Sequence, residues 1–206
     1  IGNSKNPSWV KRGISPYKMY LADFFKKQKI NRFPKLQDEL VKFRALKNKI
    51  SAIITTNYDT FLEQEVFNRD FQVYVRQHEL FSADSYNIAE IYKIHGSATD
   101  AESIIITRDD YEHFRKPRKL IIAKMLTLFA EAPIIFMGYS MTDEDVRGII
   151  EDFLGCLSDE QLVDIRKHFI FISYKKDEKE LIEIEKRQVI IPDPVMAVWL
   201  KRELRM

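Results

Sequence analysis

Residues 51–63, SAIITTNYDTFLE, decide how the rest of the chain is read. Ala52, Ile53 and Ile54 make a short apolar, β-branched run, the pattern of a buried strand. Thr55-Thr56-Asn57-Tyr58-Asp59 follows at once, and residues 60–66 then read as a short helix. A core strand that ends in a dense polar cluster asks whether those groups do more than turn the chain. The same construction recurs twice. Residues 90–94, EIYKI, run into His95-Gly96-Ser97, and residues 134–137, IIFM, run into Gly138-Tyr139-Ser140.

Working outward, apolar residues at helical spacing predict helices over 16–29, with Pro16 in the first turn, and over 35–47, with Leu36, Leu40, Phe43 and Leu46 on one face. Before them, Pro7-Ser8-Trp9 reads as an irregular start. Residues 71–75 and 103–107 (SIIIT) are expected strands, whereas 79–90 is polar and ambiguous. Thr107 is placed to cap a short helix over RDDYEHF, whose first-turn carboxylates suit the helix dipole. The longest amphipathic helix is expected over 118–131, with Leu120, Ile121, Met125, Leu128 and Phe129 inward, and Pro133 stops it. Thr142 and Asp143 offer caps for a helix over 144–154. A helix over 161–167, a strand over 168–173, a further strand over 189–191 and a final helix over 195–205 complete the reading. Strands that alternate with helices, several of them continuously apolar, predict an α/β fold. It is a doubly wound, mostly parallel sheet with helices on both faces.

The 206 residues suffice for one domain with a sizeable core, and 45% hydrophobic with 31% charged residues is ordinary globular composition. A net charge of +2 gives no electrostatic case for direct nucleic-acid binding or a membrane surface, and no apolar run reaches the roughly 18 residues of a membrane span. The basic run at 115–119, RKPRK, reads as a solvated loop, with a phosphate-binding patch as the alternative. Cys156 is the one cysteine, so neither a disulfide framework nor a cysteine-ligated zinc site can form within these residues, and a reducing, cytoplasmic setting is expected. His78 and His113 lie in polar surroundings and are expected at the surface; His168 opens an apolar strand and reads as structural. Asp143, Glu144, Asp145, Glu151 and Asp152 could suggest a metal site, but an acidic helix N-terminus explains the first three more simply.

In open parallel α/β sheets, ligands sit beyond the carboxyl ends of the strands. That rule would bring Asn57, His95 and Ser140 to one edge although they are far apart in sequence. Taken singly, each has a plain reading: Asn and Asp are common turn formers, His-Gly can be a turn, and Gly138 can be a tight connection. The three together point to a site.

The motifs also resemble a known family. TTNYD, KIHGS and GYSMTDEDVRGII look like the Thr-Gln-Asn-Ile-Asp, His-Gly and Gly-Thr-Ser segments of sirtuins. IIITRDDYEHF is similar to the sirtuin-like proteins of bacterial antiphage defence, and NPSW at 6–9 resembles the Pro-x-Trp that follows their first nucleotide-binding loop. The resemblance runs to about Ser173, and residues 51–153 are its specific part. It implies a Rossmann-like NAD-binding domain over 1–206, an incomplete part of a longer chain. It implies that Asn57 positions the nicotinamide ribose and an attacking water, that His95 is the general base near the ribose hydroxyls, and that Asp59 lies by the nicotinamide carboxamide. Thr55, Thr56, Tyr58, Gly138, Tyr139, Ser140 and Ser173 would line the dinucleotide. These residue types suit the chemistry. Nicotinamide is already a cationic leaving group, so orientation and a base matter more than a strong acid. Histidine, with an unperturbed pKa of roughly 6.5, is the side chain nearest working pH.

Two departures sort the activities. Deacylating sirtuins carry a four-cysteine zinc ribbon after His-Gly, and residues 97–136 contain no cysteine. The resemblance therefore implies NAD hydrolysis to nicotinamide and ADP-ribose, or its cyclic isomer, with NAD as substrate and no metal. The family's Gly-Ala-Gly-x-Ser loop is the second departure: glycines stand at 2, 13, 96, 138, 148 and 155, and none forms Gly-x-Gly. Activity is thus expected only with a Gly-rich loop upstream of Ile1. A homo-oligomer or a fused or associated defence partner is also implied. Two rivals stay open: an NAD-dependent protein deacylase or ADP-ribosyltransferase, and a non-catalytic nucleotide-sensing or assembly module.

Overall fold

A computed structural model describes residues 7–28, 34–81, 89–113, 118–139, 141–165 and 168–172. The chain divides into two compact units, Ile1–Ile122 and Ala123–Met206. Parallel strands flanked by helices make up the α/β architecture, as the alternation of apolar runs and helical periods requires.

The first unit opens with helix α1 (Pro7–Lys11), where an irregular start is expected; Pro7 occupies the first helical position, which needs no amide donor. Helices α2 (Pro16–Lys27) and α3 (Pro34–Ala45) follow, and then strands β1 (Ala52–Thr55), β2 (Gln72–Tyr74) and β3 (Glu90–Lys93). The strand order is β1-β3-β2, all parallel. Ile91 pairs in register with both Ile53 and Val73, so these three side chains share one face. Over that face lie Leu40 and Phe43 of α3, a π-helical turn at Phe61–Val66, and the stacked rings of Phe67 and Phe71. Tyr92 and Tyr74 stack on the other face, with Tyr92 donating to Glu90 at 2.7 Å. A second cluster joins Ile14, Met19 and Ala22 to Ala101 and Ile104.

The apolar run 104–106 is not the expected strand. A 3₁₀ turn occupies Ala101–Ser103, and the backbone beyond it bonds locally, Ile105 N–H donating to the His95 carbonyl at 2.9 Å. Ile104 and Ile105 are buried because they pack as core, not because they join a ladder. Helix α4 (Arg108–Glu112) carries the expected cap as a full capping box: Thr107 Oγ1 accepts from Asp110 N–H at 3.2 Å, and Asp110 accepts from Thr107 N–H at 2.9 Å. Lys18 of α2 bonds the same carboxylate, and these groups tie α4 to α2.

Helix α5 (Lys119–Glu131) buries Ile121, Ile122, Met125 and Phe129; Leu120, expected inward, is exposed. In the second unit, strands β4 (Ile134–Met137) and β5 (Phe169–Ile172) pair in parallel. Ile135, Met137, Ile170 and Ile172 form an exposed apolar face on this pair. Helix α6 (Glu144–Gly155) buries Val146, Ile149, Ile150, Phe153 and Leu154 and is capped by Asp143, whose side chain accepts from Val146 N–H at 3.0 Å. Helix α7 spans Asp159–Ile165. The strand expected over 189–191 and the helix over 195–205 lie outside the described residues. Among the described residues no helix is long and apolar enough to cross a membrane.

The Asp110 cap gives a pH signature. Burial alone would raise this carboxyl, but the Lys18 ammonium and the Thr107 and Ile106 donors outweigh it and lower its pKa from 3.8 to about 2. A depressed carboxyl stabilises the fold fully above its unfolded pKa and loses that contribution as pH falls toward the folded value. Asp110→Asn is therefore expected to cost about 1–2 kcal/mol in urea unfolding at pH 7 and almost nothing near pH 2.

Gly96 gives a second prediction. Its φ is +94°, and a Cβ there would stand 2.2 Å from the Ser103 carbonyl oxygen. Gly96→Ala must both strain the backbone and displace a main-chain atom, so it is expected to destabilise the chain by at least ~2–4 kcal/mol in chemical denaturation.

Candidate active site

The ladder between β1 and β3 sets the geometry. Thr55 pairs with Lys93, so Asn57 and His95 each stand two residues beyond the last matched pair, at the same edge of a parallel sheet. The two loops are stitched together past the strands: Ile94 N–H donates to the Thr55 carbonyl at 3.1 Å, and Ala98 N–H to the Tyr58 carbonyl at 2.7 Å. Asn57 and Asp59 therefore share an edge with His95 because two adjacent strands end level.

Within the first loop each residue has a defined place. The half-buried Thr55 accepts from Asn57 N–H through Oγ1 at 3.1 Å, and Asn57 itself is exposed beyond Thr56. The Asp59 carboxylate accepts from Phe61 N–H at 2.9 Å and so starts the π-helical turn. Tyr58 turns inward: its hydroxyl donates to the Ile105 carbonyl at 2.5 Å, and its ring lies 5.4 Å from that of Phe25. It joins the α2 cluster, which accounts for the choice of an aromatic residue at this position.

The second loop is more tightly built. His95 is only 3% exposed, and its imidazole meets the ring of Tyr111 at 5.6 Å, nearly perpendicular. Gly96 makes the turn that returns the chain against Ser103, where Ser97 N–H donates to Ser103 Oγ at 3.0 Å. Arg118 reaches in from the start of α5, donating to the Ile94 carbonyl at 2.9 Å and the Ser103 carbonyl at 3.3 Å. Part of the basic run expected in solvent is thus a buried clamp on the His95 loop. At the rim, Arg76, just past β2, pairs with Asp100 at 2.6 Å and Glu102 at 3.0 Å; the Asp100 hydrogen bond raises its pKa further, against the opposing effect of burial.

Gly138 and Tyr139 follow β4 in the second unit, and Gly138 takes φ +61°, the left-handed turn expected of a glycine there. Ser140 and Ser173 lie outside the described residues. His78 and His113 are exposed, as expected, and His168 is half-buried.

Sequence reasoning missed Tyr111, Arg118, Lys93 and Glu63. The signal for Lys93 was present: it shares strand parity with Ile91 in EIYKI, so a buried strand carries a lysine on its core-facing side. An exposed asparagine and a buried histidine thus stand on neighbouring, hydrogen-bonded loops, the imidazole packed against the Tyr111 ring.

The chain is also similar to known proteins. The chain is 30% identical over 111 residues to the NAD(+) hydrolase ThsA of Enterococcus faecium, an alignment covering 52% of this chain and 23% of that protein. It is 27% identical over 101 residues to defense-associated sirtuin 2 of Bacillus subtilis, covering 48% of this chain and 10% of that protein. A second NAD(+) hydrolase ThsA, from Acinetobacter baumannii (strain 532279), is 25% identical over 153 residues, covering 70% of this chain and 31% of that protein. The chain thus spans less than a third of the length of each of these relatives. The SIR2-like domain family matches residues 51–191, beginning at the first residue of the stretch that holds Asn57, and the chain belongs to that family.

Proposed function

We propose that this chain carries an NAD-hydrolysing site that cleaves the nicotinamide–ribose bond, releasing nicotinamide and ADP-ribose or its cyclic isomer. The observation that carries the reading is the level ending of β1 and β3, with Asn57 and His95 on hydrogen-bonded neighbouring loops. The names of the relatives, two of them NAD(+) hydrolases and one a defense-associated sirtuin, support it.

In this reading Asn57 holds the nicotinamide ribose and a water, its amide donating to one and accepting from the other without adding charge. The glycosidic C–N bond breaks with the electron pair leaving on the nicotinamide nitrogen. The water oxygen bonds to the sugar carbon, and His95 takes the proton that the water loses. Tyr111 holds the imidazole edge-on and keeps solvent from its face. Asp59 lies toward the nicotinamide carboxamide, and Thr55 and Thr56 shape the dinucleotide site beside it, whereas Tyr58 supports their loop from the core. Nothing in this sequence of steps calls for a metal. A pyrophosphate is well held by backbone amides at a helix N-terminus, and none of the glycines in residues 1–206 forms a Gly-x-Gly loop of that kind. We further propose that residues 1–206 act as one NAD-binding domain, cytoplasmic, in antiphage defence, as an oligomer or with an associated defence partner.

The test is turnover of NAD by the full-length protein, followed by chromatography of nicotinamide and ADP-ribose. Asn57→Ala and His95→Ala are each expected to lower kcat at least ~100-fold with unchanged circular dichroism. Normal nicotinamide release from both variants overturns the reading, and so does transfer of an acyl group or ADP-ribose to protein without free ADP-ribose. Tyr111→Ala is expected to lower kcat about tenfold while Tyr111→Phe retains it, measured in the same assay.

A further inference from the structure

Among the described residues Lys93 is the most completely buried charge, 1% exposed on the central strand of its sheet. Its register places it on the face shared by Ile53 and Ile91, beneath the π-helical turn. There its ammonium donates to Glu63 Oε1 at 3.1 Å and to the main-chain carbonyl of Asp59. Lys93 stands two residues before His95, and Asp59 two residues after Asn57. One buried cation therefore joins the strand that carries the imidazole to the loop that carries the amide.

Stability does not account for it. Desolvating an ion pair costs several kcal/mol, and apolar residues of similar volume often serve a core as well or better. This pair is also incompletely satisfied, since Glu63 Oε2 has no hydrogen-bond partner among the described residues. An apolar side chain at position 93 could fill the space. It could not donate to the Asp59 carbonyl, and that carbonyl fixes where the preceding peptide planes, including Asn57, must lie. A lysine alone would leave a naked cation in the core, so Glu63 is needed to hold it.

We propose that Lys93 is a positioning residue: its buried ammonium, balanced by Glu63, holds the Asp59 carbonyl and so sets the Asn57 loop against the His95 strand. The kinetic part of this inference rests on the NAD-hydrolase reading; the structural part does not. Lys93→Met alone strands the Glu63 carboxylate and destabilises the fold, so the informative variant is Lys93→Met with Glu63→Gln, which removes both charges.

In the full-length protein, the double variant is expected to unfold at a midpoint within a few degrees of the parent. Hydrogen exchange should accelerate at the amides of residues 57–61 and stay unchanged in β2 and α4. With NAD, kcat should fall about 10–100-fold and KM change less than about threefold, the pattern of lost alignment, not lost binding. Unchanged exchange at 57–61 overturns the proposal, as does acceleration spread across the whole unit, or a double variant that does not fold, for then the pair is a stability device. Local acceleration with kcat intact in an active parent overturns it too. A parent that leaves NAD uncleaved defeats the hydrolase reading instead, and the exchange result still decides whether Lys93 holds the loop.

Discussion

The parallel ladder between β1 and β3 is the constraint on which the site depends. Pairing Thr55 with Lys93 makes two strands end level, and the loops that follow are held side by side by main-chain bonds. Had β3 slipped by one residue, Lys93 would leave the face of the π-helical turn and Tyr92 would lose its stack on Tyr74. The apolar matching of Ile53, Ile91 and Val73 prevents that slip, so core packing a few ångströms away determines which polar groups meet at the edge.

Past the ladder, carbonyl oxygens need donors, and this chain supplies them with buried cations. Lys93 serves the Asp59 carbonyl, and Arg118 serves those of Ile94 and Ser103. For Arg118 the choice follows from crowding: Gly96 brings two main-chain segments too close for a side chain between them, and the carbonyls left over are reached by a buried guanidinium. Long side chains from neighbouring elements reach them without widening the turn. The anionic counterpart is Asp110, which satisfies three donors at the start of α4 and thereby fixes the helix that brings Tyr111 to His95.

Much of this fold was legible from residue patterns. The apolar runs at 52–54 and 134–137 became strands, and Thr107 and Asp143 became caps, because each rests on a local preference that packing reinforces. The run 104–106 misled because three isoleucines look like a strand wherever their amides go, and here His95 captures the Ile105 amide. Lys93 and Arg118 were obscured for the opposite reason. A charge in a sequence reads as surface, and only the presence of unpaired carbonyls within reach makes burial favourable. Asn57 and His95 could be brought to one edge by topology alone, but Tyr111 could not, since its contact depends on the angle at which α4 leaves its cap.

The order of the strands along the chain has a temporal consequence. β1 is made long before β3, yet among the described residues β3 is the strand it pairs with, and β2 must wait for the same strand. Emerging from a ribosome, the Asn57 segment has α2 and α3 to pack against but no strand to pair with until the His95 segment follows. Assembly of this edge is therefore a late, all-at-once event in the life of the polypeptide, governed by the arrival of one central strand.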